Sequence, residues 1–243
     1  MEPQEEPVTG VLLIDKPVGP TSFRIVQQVR RGIGIRKVGH AGTLDPFASG
    51  LLVVCVGRPA TRIISSLMEG EKEYEAILQL GIETDTQDLT GKVIAEKQFE
   101  ALEPDSVNAC LEQFTGELMQ TPPQYSALKH KGKPLYYYAR KGIKVEKEPR
   151  KIQIREIELL SLDNESMQIR VVCSKGTYIR TLAADIGRFL GCGAHLTGLR
   201  RLRSGRFTTE EALKGSDLVG ERQQVLKLLL NNLLPVDTVK NHI

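Results

Sequence analysis

The chain is poor in the residues that usually mark a metal, a redox centre or a membrane. Its four cysteines, Cys55, Cys110, Cys173 and Cys192, stand far apart and form no CxxC pair. That spacing suits buried, reduced thiols in a cytoplasmic protein better than a disulfide framework or a zinc site. The histidines, His40, His130, His195 and His242, are equally scattered, with no H-E-x-x-H motif among them. TDTQD at 84–88 lacks the further ligands and the closing Glu of a calcium loop. Long apolar runs are missing too, since LLVVCV at 51–56 is far too short to cross a bilayer. The amino-terminal MEPQEEPVTG is acidic and does not follow the basic-then-apolar layout of a signal peptide. GIGIRKVGH fits neither the Walker nor the dinucleotide glycine spacing. FASGL is no nucleophile elbow, because Phe47 takes the first glycine position. No cofactor and no metal are expected.

What is present describes an ordinary globular chain. At 243 residues, with 40% hydrophobic and 26% charged side chains, it can bury a substantial core as one large domain or two small ones. The net charge of +3 says little, but its distribution says more. Basic residues crowd 129–151 (KHKGKPLYYYARKGIKVEKEPRK) and 199–206 (LRRLRSGR). Clusters of this kind mark either a surface for a polyanion or simply a solvated face.

Apolar periodicity places a buried strand at 10–14 and, after a Thr or Ser cap, an amphipathic helix at 21–32. A second interior strand follows at 51–57, and a helix with a proline start at 59–70. Alternation predicts strands in 71–81 and 92–98, separated by the turn-rich IETDTQDLTG, and a helix at 104–116. Residues 120–150, rich in proline, glycine and tyrosine, read as an insertion. Strands in 152–163 and 166–176 turn at Asp163 and Asn164; a helix at 178–191, a strand or hairpin at 195–207 and a helical tail over 208–243 complete the chain. Hairpin-linked strands outnumber strand–helix–strand units, which predicts an α+β fold with a largely antiparallel mixed sheet flanked by helices.

One acid stands out within GHAGTLDPFASG at 39–50. Pro46 pushes Asp45 out of the helical region, and Gly39, Gly42 and Gly50 allow tight turns and close approach. Taken alone, Asp45 reads as the cap of a short helix with Pro46 in its first position.

Five stretches in order bear on the choice. GVLLIDKPVGPTSF (10–23), GHAGTLDPFASGLL (39–52), KEYEAILQLGIETDTQD (72–88), CSKGTYIRTLAADIG (173–187) and GAHLTGLRRLRSG (193–205) resemble the signature segments of TruB-type tRNA pseudouridine synthases. The resemblance runs from about position 10 to 207. It implies the pseudouridine-synthase fold, with 120–150 as an RNA-gripping insertion in a single catalytic domain spanning 1–243. It also implies an isomerase that breaks the C1′–N1 bond of a T-loop uridine (uridine 55) and joins C1′ to C5, with tRNA as the partner at its T-arm and elbow.

In the same terms Asp45 is the catalytic carboxylate, either adding to C1′ or removing a sugar proton, as glycosidases place an acid at an oxocarbenium-like centre. Tyr74 stacks on the extruded base, where the bland alternative is a core tyrosine. Tyr178 meets the base near C5, and Arg180 pairs with Asp45 and keeps it ionised. Asp88 is a second carboxylate orienting Arg180, or merely an Asx-turn residue. Leu199 forms part of the uracil pocket, His40 holds the opened RNA loop, and Lys16 meets a phosphate or supports the catalytic loop. Most bacterial members continue into a small carboxy-terminal RNA-binding domain, whereas this sequence stops at Ile243. The family suggests a monomer without an obligate protein partner. An RNA chaperone without catalysis, and a synthase acting on another RNA, stand as alternative readings.

Overall fold

The computed structural model describes residues 8–240; the acidic stretch through Pro7 and His242 lie outside them. The chain forms two compact units, one from the residues up to Lys72 and from Arg200 onward, the other from Glu73–Leu199.

The first unit opens with β1 (Gly10–Lys16), buried along nearly its whole length. Helix α1 (Ser22–Ile33) starts where Thr21 accepts a hydrogen bond from the Arg24 amide at 3.0 Å. It ends at Gly34, whose φ of 78° lets its amide return to the Arg30 carbonyl. Ile25, Val26, Val29 and Ile33 form its apolar stripe against Leu12, Ile14, Leu52 and Val54. Each such side chain contributes about 1.5–3 kcal/mol on burial. Strand β2 (Val38–Ala41) overlaps the start of the glycine-rich stretch 39–50, where no strand is expected, and the expected interior strand is β3 (Ser49–Val56). The opposite face carries Val11, Leu13, Leu51, Val53 and Cys55 under Ala60 and Leu67. With both faces covered, LLVVCV is apolar without alternation. The helix predicted at 59–70 is two, α2 (Gly57–Arg62) and α3 (Ile64–Leu67), broken where Ile63 takes φ −94° and ψ 7°.

The second unit begins with β4 (Lys72–Leu80), in which buried and half-exposed residues alternate. A short ribbon, β5 (Ile82–Thr84) and β6 (Val93–Glu96), follows, so the strand expected at 92–98 pairs with Ile82–Thr84. Helix α4 (Pro104–Gln113) precedes β7 (Gly116–Gln120), which sequence patterning missed. Within 120–150 the only regular pieces are β8 (Lys129–His130), β9 (Lys133–Pro134) and α5 (Leu135–Ala139). Then come β10 (Arg150–Leu162) and β11 (Ser166–Cys173), joined by a turn in which Asp163 accepts the amides of Glu165 and Ser166. Helix α6 (Ile179–Phe189) leads to β12 (Ala194–Ser204), which enters the first unit at Arg200. The strand order here is β12-β4-β11-β10-β7.

In the first unit, β13 (Phe207–Thr208) pairs with β12, and β14 (Leu213–Lys214) with β1, giving the order β14-β1-β3-β12 with β2 also on β3. β1–β14 and β3–β12 are parallel, while β1–β3, β2–β3, β7–β10 and β10–β11 are antiparallel. The fold is the expected α+β type with a mostly antiparallel mixed sheet. The tail read as helical is α-helical from Arg222, in α7 (Arg222–Asn231) and α8 (Val236–Lys240); before that it supplies β13, β14 and short 3-10 turns.

Candidate active site

Asp45 sits between β2 and β3, and no helix follows it. The Ala48 amide donates to the Asp45 carbonyl at 3.1 Å, so the residue opens a tight turn instead of capping a helix. The loop is fixed from one side by α1. The Ser22 hydroxyl, buried at the helix start, receives the Leu44 amide at 2.8 Å and donates to the Leu44 carbonyl at 2.9 Å. The Gly19 amide reaches the Pro46 carbonyl at 2.8 Å. Lys16 is wholly buried, and its Nζ donates to the carbonyls of Pro17 and Pro20 at 2.9 Å each and approaches that of Pro46 at 3.5 Å.

Arg201 fixes the other side. It is 2% exposed, with Nε on the Leu51 carbonyl at 2.7 Å and Nη2 on the Gly42 carbonyl at 3.2 Å. The two loop glycines answer to this packing. Gly50 has φ 101°, and a Cβ there would lie 2.2 Å from the Arg201 carbonyl oxygen, where β3 and β12 run parallel. Gly42, at φ 94°, leaves room for the guanidinium, 3.4 Å from where a Cβ would stand.

The electrostatics follow from burial. Desolvation pulls the Lys16 ammonium down to about 8; the charge of Asp45 works against this and that of Arg201 adds to it. His40, on β2, is held below the ordinary imidazole range by burial and then by Arg201, while a hydrogen bond with the Gly42 backbone partly offsets both. The ring is therefore neutral at pH 7. Asp45 lies half-exposed among these groups. Burial likewise raises the thiols elsewhere, Cys55 to about 12 and Cys110 to about 11, and none of the four cysteines forms a disulfide.

The second unit holds the other expected residues. Tyr178 precedes α6 and is half-buried. Its backbone is clamped by the buried Gln120 at the end of β7: the Tyr178 amide donates to Oε1 at 2.8 Å, and Nε2 donates to the Tyr178 carbonyl at 3.1 Å. Arg180, in the first turn of α6, is 5% exposed. Its Nη1 donates to Asp88 Oδ2 and to the Thr86 carbonyl at 3.1 Å each, and its Nη2 to the Tyr125 carbonyl at 2.7 Å. The other oxygen of Asp88 accepts from Thr86 Oγ1, the Thr90 amide and Thr90 Oγ1 at 2.8, 2.9 and 2.6 Å. Gln87, in the left-handed region at φ 62°, turns its side-chain oxygen to the Thr181 hydroxyl at 2.9 Å. Tyr74 is buried on β4 and Leu199 half-buried on β12.

Sequence reasoning missed Ser22, Gln120 and Arg201. LRRLRSGR read as a surface cluster, yet Arg201 is core and Arg200 forks onto both oxygens of Asp15 at 3.0 and 2.7 Å. A serine in a helix-cap stretch and a glutamine before two prolines carry no local signal of this use.

Two sequence profiles match the chain: residues 30–179 match the amino-terminal domain of the TruB family pseudouridylate synthases, and 180–239 the tRNA pseudouridylate synthase B carboxy-terminal domain. The chain belongs to the TruB family. A TruB relative from Desulfotalea psychrophila, named tRNA pseudouridine synthase B, is 60% identical over 90% of this chain and 91% of its own length. One of the same name from Bordetella parapertussis is 50% identical over 93% of each. Among solved structures, a chain of a Cbf5-Nop10-Gar1 complex superimposes with a TM-score of 0.71 at 30% identity over 96% of this chain. An H/ACA RNP bound to a substrate RNA containing 2′-deoxyuridine gives 0.68 at 28% identity over the same share. This chain spans 62% and 61% of those two chains.

Proposed function

We propose that this chain isomerises uridine 55 in the T loop of tRNA to pseudouridine, with Asp45 as the catalytic carboxylate. The observation that carries the reading is the Asp45 loop: in a TruB-family chain, an acid that caps no helix is fixed between buried Lys16, Ser22 and Arg201. The charge of Asp45 acts on buried Lys16, and an ionised carboxylate is what the sugar carbon C1′ needs when its bond to N1 breaks.

The reaction is an isomerisation, so nothing is consumed. The C1′–N1 bond breaks, uracil turns, C5 bonds to C1′, the C5 proton leaves and N1 ends protonated. The uridine must first leave its stack. Tyr74 stacks on it, Leu199 borders the uracil, and neutral His40, with one donor and one acceptor, holds the opened loop. Tyr178, clamped by Gln120, takes the C5 proton as a phenolate favoured by Arg180 or through a water relay, and Arg180, oriented by Asp88, lends positive charge to the anionic centre. Lys129, Lys131 and Lys133 in the 120–150 excursion meet the RNA backbone. The protein works as a cytoplasmic monomer; no helix among the described residues is long and apolar enough to cross a membrane.

The test is to incubate the protein with an unmodified tRNA transcript and map pseudouridine by nucleotide. A single new pseudouridine at position 55, absent when cytidine replaces that uridine, is expected. Modification at other uridines only would favour a different RNA target. Accelerated tRNA folding with no pseudouridine would favour a chaperone.

A further inference from the structure

Between Asp15 and Asp45 the chain contains no acid at all, yet it carries Lys16, Arg24, Arg30, Arg31, Arg36 and Lys37. The whole sequence is nearly balanced, at 33 basic and 30 acidic residues, so this bias is local. The fold concentrates it further. Two adjoining grooves of about 330 and 580 Å³ share Arg31 and Arg222 in their walls. Arg24 lines the first and Arg36 the second, and no carboxylate lines either. All four side chains are exposed, and none of them makes an ion pair or a side-chain hydrogen bond among the described residues. Arg222 opens α7 and reaches back over Gly34, its Nη2 3.8 Å from where a Cβ of that glycine would stand. Arg30 beside them is different: it donates to the Val38 carbonyl at 2.7 Å and lies over the Phe23 ring.

Four unpaired arginines gathered around two grooves repel one another and gain nothing from the fold. Arginine's planar fork matches phosphate oxygens two at a time, and a row of such forks matches a row of phosphates. The position is informative as well. α1 is tied at its first residue, Ser22, to the catalytic loop through Leu44. Along that helix Arg24 lies about 3 Å and Arg31 about 14 Å from the tie, with Arg36 beyond the helix end. The arginines thus lead away from the catalytic loop, as an RNA backbone running away from an extruded uridine would.

We infer that Arg24, Arg31, Arg36 and Arg222 form a second RNA-docking surface, which grips phosphates of the substrate outside the modified loop. The inference rests on the proposed tRNA reaction. The surface contributes affinity and not chemistry, so its signature is electrostatic. Arg24→Ala, Arg31→Ala and Arg222→Ala combined should weaken binding of an unmodified tRNA transcript at least tenfold. They should also flatten the plot of log K against log salt by about 2 to 3, at roughly 0.9 per lost duplex phosphate contact. The three corresponding lysine substitutions should restore most of the slope. Conversion rate at saturating tRNA should stay near wild type for both variants, with thermal unfolding confirming that each is folded. An unchanged slope and affinity in the folded alanine variant would overturn the inference. If the wild type made no pseudouridine while the slope still fell, the reaction would be wrong and the RNA surface would stand.

Discussion

The Asp45 loop and the Arg180 cradle solve one problem, placing charge inside a folded chain, in opposite ways. Arg180 is neutralised on the spot: Asp88 faces it at 3.1 Å, and three donors besides hold that carboxylate. Lys16 and Arg201 are just as buried, but the groups they touch are backbone carbonyls. The cradle holds its cation against a carboxylate and two carbonyls. The loop holds its cations on carbonyls, and Asp45 offsets only part of the desolvation that lowers the Lys16 pKa. Cations held on carbonyls leave a field for an anion to use.

Substitutions can break this contrast from either side. Within the second unit the largest effect is expected at Tyr178, whose backbone Gln120 clamps. A hydroxyl that removes the C5 proton is worth about 100- to 10,000-fold. Tyr178→Phe should lose that much in single-turnover rate on a T-loop RNA while binding stays intact. Tyr74→Phe, which keeps its stacking face, should lose far less. Equal, mild losses in both would reduce Tyr178 to packing.

The loop side is tested by pH. Because the folded pKa of Lys16 lies near 8 and the unfolded value near 10.5, the unfolded state binds more protons between them. Stability from this group is therefore lowest below pH 8 and rises as pH climbs towards 10.5, by about 3 kcal/mol in all. Urea unfolding at pH 7.5 and 10 should show this rise in the wild type and a smaller one in Lys16→Met. Parallel pH profiles would mean that the Lys16 charge is compensated, and the contrast would vanish.

The mildest change sharpens the cradle. Asp88→Asn keeps an oxygen for Thr90 but removes the charge facing Arg180, at a cost of about 1.5–3 kcal/mol. Because Arg180 also rests on the carbonyls of Thr86 and Tyr125, it should stay in place. Thermal melts should fall modestly, and tRNA affinity should change within about twofold. A variant that fails to fold would show that the pair, and not the carbonyls, holds Arg180.

The sequence carried much of this, but unevenly. Strands β1, β3, β4, β10 and β11 and helices α1, α4 and α6 declare themselves by period, because each buries a repeating set of apolar side chains. β2 and β7 do not, being short and half-exposed. Asp45 stood out through the proline and glycines around it, and its partner motifs through family resemblance. Arg201 was hidden, since its use depends on β12 lying beside β3, about 150 residues away in sequence. The same holds for Gln120, whose amide meets Tyr178 58 residues on. Local pattern reports which face a residue turns inward, not which distant backbone it will meet there.

The central claim is that the charge on Asp45, beside buried Lys16, does the chemistry. Asp45→Asn keeps the shape of the side chain and removes the charge. With circular dichroism confirming the fold, its single-turnover conversion of tRNA should be undetectable while tRNA affinity stays within about twofold of wild type. Conversion within about tenfold of wild type, a barrier change of only about 1.4 kcal/mol, would contradict the account.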